Sequence, residues 1–172
     1  MKEHDKFTTD RLELEEVLVR QFRVLQEMIA LTKKERSFLL SDPDLVIQVV
    51  EDKEVLLDSM SLMEDKCRKV VQELSLAVAL HSENTSIRDL LPFFKPEDAG
   101  RIRNLSEGIT SLASQARELN RANQAIAFTK LEWLKATQEF LISIFQPDTG
   151  YRATKGGNLN REATGMGVEV RI

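Results

Sequence analysis

Few residues in this chain of 172 could make or break bonds, and their spacing argues against it. The one thiol is Cys67 and the only imidazoles are His4 and His81. Cys67 falls on the apolar seam of a helical repeat, so it reads as a core thiol in preference to a reactive one. His81 closes the same seam near a helix end, where free carbonyls favour a cation. His4 sits in a polar N-terminal stretch. No histidine pair has metal-ligand spacing, and the Glu-x-x-His of ferritin-like bundles is absent. There is no Walker-type phosphate loop and no Gly-x-Gly-x-x-Gly, and Gly156-Gly157 alone does not imply phosphate. Glu15 and Glu16 point to different helix faces and read as solvating charges. Lys33, Lys34 and Arg36 read as a solvated basic face. No enzyme, cofactor or metal site is expected.

Other polar groups could recognise a partner. Asn123 falls on an apolar seam between Leu119 and Ile126. A buried Asn at such a position fixes register at a cost in stability. Asn120 and Gln124 lie near it, which makes a local cluster of carboxamides. The cluster suits either a register pin or a contact to a docking helix, and the spacing alone leaves both open.

The element that must position these groups is a long helix. From Leu105, steps of four and three residues reach Ile109, Leu112, Ala116, Leu119, Asn123, Ile126, Lys130, Trp133, Thr137, Phe140 and Ile144. This is the 3.5-residue period of a coiled-coil seam. Its second half carries a surplus: Ala127, Leu131, Leu134, Leu141 and Phe145 flank the seam, with Phe128 and Ile142 further round. A surface helix usually shows one apolar stripe of roughly 100°. Either the bundle encloses this end on two sides, or the surplus is kept for a partner.

Two further helices are predicted upstream. The first is capped at Thr9 or Asp10 after a frayed start and stops near Ser41, because Pro43 disfavours helical geometry at Asp42. Asp42 then caps the second, with Pro43 at its first position. So short a connection predicts an antiparallel hairpin. The second helix carries a seam of Leu56, Met60, Met63, Cys67, Val70, Leu74, Ala77 and His81, and gives way near Glu83-Asn84. Ser86 or Thr85 caps a short helix near 86–91 that Pro92 stops. Phe93 and Phe94 plug the open end of the hairpin. Pro96, Glu97 and Asp98 open the long helix, and Pro147 ends it. About 50 residues at ~1.5 Å each give a rod of roughly 75 Å, longer than the hairpin.

The fold class predicted is therefore all-α: an elongated antiparallel helical hairpin or coiled-coil bundle of three long helices plus the short one. Residues 1–146 form the helical domain. Residues 147–172 form a flexible tail that holds five of the seven glycines, has no helical period and is expected to be disordered in isolation. Apolar residues make up 42% and charged residues 30%, as expected of long soluble helices. The formal charge of −4 argues against nucleic acid. The N-terminus lacks the apolar core of a secretory signal and no run suits a membrane span. A single cysteine excludes an internal disulfide framework. A cytoplasmic protein is expected.

The order of these segments resembles a known family. Lys34-Glu-Arg-Ser-Phe-Leu-Leu-Ser-Asp-Pro-Asp-Leu, followed by Glu51-Asp-Lys-Glu-Val-Leu-Leu-Asp-Ser-Met, is similar to the hairpin of the flagellar export chaperone family FlgN. Leu119-Asn-Arg-Ala-Asn-Gln-Ala-Ile resembles its late Leu-x-x-x-Asn-x-x-Leu/Ile signature, and Tyr151 before Gly156 resembles its short tyrosine-containing tail. The likeness spans about Leu12 to Gly157. The chain departs from the family at Gln124, where Gly often stands, and in the tail beyond Gly157.

The resemblance implies a cytoplasmic chaperone of type III flagellar export. Its clients would be the hook–filament junction proteins, held by their C-terminal amphipathic segments and delivered to the export gate. Residues assigned to the client are Asn120, Asn123, Ile126, Phe128, Leu131, Trp133, Leu134, Leu141 and Phe145. Tyr151 and the tail would make a second contact with the export apparatus, either its gate membrane protein or its ATPase. The rival reading is a structural coiled coil that self-associates, for instance as a homodimer, through the same surface.

Overall fold

The computed structural model describes residues 2–80 and 85–145, with side chains described from Asp5 onward. All the regular structure among these residues is helical, as the sequence predicts. It comprises α1 (Lys2–Ser41), α2 (Val46–Ala77), the short α3 (Ile87–Leu90) and α4 (Pro96–Phe145). Single 3-10 turns, Pro43–Leu45 and Leu91–Phe93, lead into α2 and out of α3. The chain forms two units, Met1–Trp133 and Leu134–Ile172. The second, as far as it is described, is the last turns of α4.

In the first unit α1 and α2 pair antiparallel. Glu13 meets Lys66 and Glu35 meets Lys53, so one index rises as the other falls. Their backbones approach closely, whereas α4 meets them through side chains. α4 runs parallel to α1 at a nearly constant offset. Glu15 pairs with Arg101, Arg36 with Asn123 and Glu35 with Asn123, at sequence separations of 86, 87 and 88. Gly108 fits the same frame: a Cβ there would stand 2.8 Å from the Phe22 ring. Carried forward at this offset, Ser41 at the end of α1 falls level with Phe128 of α4.

The core sits where the first half of α1, the second half of α2, α3 and the start of α4 converge. Leu14, Leu18, Val70, Leu74, Leu90, Phe94 and Ile102 form it. The predicted seams point inward there and loosen away from it. Val70 and Leu74 are buried, Leu56, Met60, Met63 and Cys67 are half-buried, and Ala77 is exposed.

Four expectations are corrected. α1 begins at Lys2, not at a cap near Thr9: the Thr9 hydroxyl donates to the Asp5 carbonyl one turn back, and Asp10 is buried. Phe7 explains the extra turns, since its ring packs 5.7 Å from that of Phe94. Asp42 makes no side-chain cap, and Pro43 opens a 3-10 turn, so that α2 starts at Val46. α2 stops at Ala77, before Glu83. Ala79 is left-handed with φ 57°, the Leu80 N–H reaches the Ser75 carbonyl at 2.9 Å, and the Ala79 N–H reaches Leu76 at 3.1 Å. That pair of bonds is a Schellman ending. Glycine usually marks it, and none stands here to signal it. Of the adjacent aromatics only Phe94 plugs the bundle; Phe93 is 46% exposed. Ser86 does open α3, its amide and hydroxyl donating to the Asp89 carboxylate at 2.9 and 2.7 Å. Those bonds hold the Asp89 carboxyl below its usual range.

Candidate functional site

Three arrangements on the bundle could bear function. The first is a buried polar cluster between the helices, toward the hairpin turn. Asn123 of α4 is only 2% exposed. Its amide donates at 2.7 Å both to the Thr32 carbonyl and to Glu35 Oε2 of α1. Its carbonyl accepts from Arg36 Nε at 3.0 Å. Lys53 Nζ of α2 donates to the same Glu35 oxygen and to Asn120 Oδ1, each at 3.0 Å. One glutamate thus ties three helices. A buried ion pair repays its desolvation only when its remaining hydrogen bonds are satisfied, and here the carboxamides satisfy them.

This cluster buries Asn123 and holds Asn120 half-buried against Lys53. Asn123 acts as the register pin that its seam position allowed. Arg36 leaves the expected solvated basic face to serve it, while Lys34 lies 5.5 Å from the Phe38 ring centre. Glu35 and Lys53 were not singled out from the sequence, because charged residues among many on a helix carry no periodic signal.

The second arrangement is ionic and lies at the opposite end of the unit. Arg11 binds Glu15 and Asp98 at 3.2 and 3.0 Å, and Arg101 binds Glu15 at 3.0 Å and also Asp98. Glu15 is therefore an interhelix partner, correcting its reading as a solvating charge. Glu16 pairs with Arg20 on the outer face.

The third arrangement is apolar. In the first unit Phe128, Leu131 and Trp133 are exposed, at 65%, 57% and 67%. Phe128 is the residue level with the end of α1, so these side chains have no α1 turn beside them. In the second unit Leu134, Phe140, Leu141, Ile142, Ile144 and Phe145 are all exposed, Phe145 to 79%. Ile126, also assigned to the client, is half-buried on the seam where its spacing puts it. Each unit thus leaves several large apolar side chains exposed. Tyr151, His81 and the tail lie outside the described residues.

Burial pushes the Cys67 thiol above its ordinary range, and nearby Glu64 adds to the effect. Among the described residues no group of His, Cys, Asp and Glu could hold a metal ion. No described helix is long and apolar enough to cross a membrane.

Compared with known proteins, the chain matches the sequence model of one family, described as FlgN protein, over residues 11–158. No curated protein and no solved structure matches it.

Proposed function

The chain belongs to the FlgN family of flagellar export chaperones, and we propose that its clients are hook–filament junction proteins. It binds their C-terminal amphipathic segments in the cytoplasm, keeps them from assembling early and brings them to the export gate. Residues 1–146 form the chaperone body. Residues 147–172 add a second contact through Tyr151, to the gate membrane protein or the export ATPase.

One observation carries this reading: the exposed apolar side chains of α4, Phe128, Leu131 and Trp133 in one unit and Leu134, Leu141 and Phe145 in the other. An amphipathic helix docks on such a surface through residues spaced three, four and seven apart. A client segment that is unfolded when free loses conformational entropy as it orders, which moderates the affinity and permits release. The polar cluster around Asn123 keeps α4 in register while the client binds.

The test uses Leu134→Asp. Leu134 is 54% exposed, so its replacement is expected to leave the melting temperature in place. Titration calorimetry against a junction-protein C-terminal peptide is expected to show at least a tenfold loss of affinity. Unchanged affinity, or unfolding of the variant, counts against the surface. A dimer that persists on dilution and ignores the peptide supports self-association through the same side chains.

A further inference from the structure

A second site opens at the end of the bundle away from the hairpin turn. There the first turns of α1, the end of α2 and the segment joining α3 to α4 enclose a cleft of about 760 Å³. Ligand pockets span roughly 300–1,000 Å³, so it is large enough for a side chain with part of its backbone. Its apolar wall includes Leu76, Val78 and Phe93, and the Phe93 ring is 46% exposed.

Asp10 lines this cleft and is only 6% exposed. Its Oδ2 is buried with no hydrogen-bond partner. A buried carboxylate oxygen without a donor is costly, and such groups are otherwise nearly always paired. Arg11 on the same lining is committed to Glu15 and Asp98, and neither Lys6 nor Lys95 forms an ion pair with Asp10. A second carboxylate, Glu73, stands on the same lining. Rotation about the terminal torsion of Asp10 is soft and two-fold, so either oxygen can be turned to the opening.

We propose that the cleft receives an arginine side chain of a partner polypeptide. Its guanidinium is held by the Asp10 carboxylate and its stem lies along Leu76 and Phe93. A planar guanidinium stacks on an aromatic face and offers donors in a fixed fork, so it answers both features of the cleft. Lys6 and Lys95 at the lining repel a bare cation and suit a segment that carries a carboxylate or carbonyl beside its arginine. The site is separate from the apolar surface of α4 and does not depend on that surface being the client site.

The probe is N-acetyl-arginine amide, titrated into the full chain and followed by amide and methyl NMR. N-acetyl-norleucine amide and N-acetyl-lysine amide serve as controls. Saturable shifts are expected at Val78 and Phe93 with the arginine probe, at least fivefold weaker with the lysine probe and absent with norleucine. Asp10→Asn is expected to fold, since Oδ2 has no hydrogen bond to lose, and to weaken arginine binding at least tenfold. Phe93→Ala, at an exposed position, is expected to weaken it severalfold. Equal binding of norleucine, or arginine binding that Asp10→Asn leaves unchanged, overturns the assignment. Loss of the junction peptide by Leu134→Asp with arginine binding retained separates this site from the apolar one.

Discussion

Asn123 is the residue on which the packing of α4 turns, and its three partners, Glu35, Thr32 and Arg36, make it unusually sensitive to chemistry rather than size. Its amide faces the Glu35 carboxylate and the Thr32 carbonyl, both acceptors, at 2.7 Å. Asn123→Ala leaves those acceptors short of a donor and is expected to cost about 1–3 kcal/mol. Asn123→Asp, nearly the same shape, replaces the donor with a second carboxylate against Glu35. Arg36 still donates to one of its oxygens, but the other faces the Glu35 carboxylate and the Thr32 carbonyl with no proton between them, so this variant is expected to be the weaker of the two in urea unfolding at pH 7. The introduced acid is penalised only when charged, so its folded pKa is raised. Its stability is therefore retained in acid and lost as pH rises through the carboxylate range, and the gap between the variants is expected to narrow below about pH 4. Asp89 runs the opposite way. Its pKa is lowered by the Ser86 hydroxyl and amide, so its contribution is present at neutral pH and fades as pH falls through its depressed value.

At the scale of the helix, endings prove harder to read than stripes. α2 ends through Ala79 in the left-handed region, where a side chain costs about 1–2 kcal/mol. Ala79→Gly removes that strain and keeps the two Schellman bonds. It is expected to stabilise by about 0.5–1 kcal/mol, or roughly 2–3 °C in thermal unfolding. An unchanged or lower Tm would mean that the turn is not held as described. The seams of α2 and α4, the stop at Ser41 and the cap at Ser86 were legible because each rests on a local rule: a period, a proline or a capping side chain. The end of α2 was not, because alanine sits where glycine would announce it. The start of α1 was missed because Phe7 finds Phe94, 87 residues further along the chain (94 − 7), a contact no local pattern carries. The site was legible in part. Phe128, Leu131, Leu134, Leu141, Ile142 and Phe145 stood out as surplus beside the seam, whereas Trp133, Phe140 and Ile144, read as the seam itself, are exposed as well. That Glu35 and Lys53 pair with Asn120 and Asn123 did not, since which charges face one another depends on the offset between α1 and α4.

For the molecule as a whole that offset has a dynamic consequence. α4 is fixed to α1 and α2 from Asp98 to Asn123 by ion pairs, by Ile102 in the core and by the Asn123 cluster. Residues 128–133 have no α1 turn level with them, and the apolar side chains of 134–145 face water. A helix held by its own hydrogen bonds alone is marginal in water at lengths below about 12–15 residues, so most of its stability must come from packing. Amide hydrogen exchange of the free chain is therefore expected to slow across residues 102–123 and quicken toward Phe145. Binding of a junction-protein peptide is expected to raise protection across 128–145 and to leave 102–123 little changed, because the first stretch alone gains a packing partner. Protection that rises with protein concentration without the peptide would assign the partner role to a second copy. Uniform protection from Ile102 to Phe145 in dilute solution would show that the apolar end needs no partner, and the client surface would have to be sought elsewhere on the bundle.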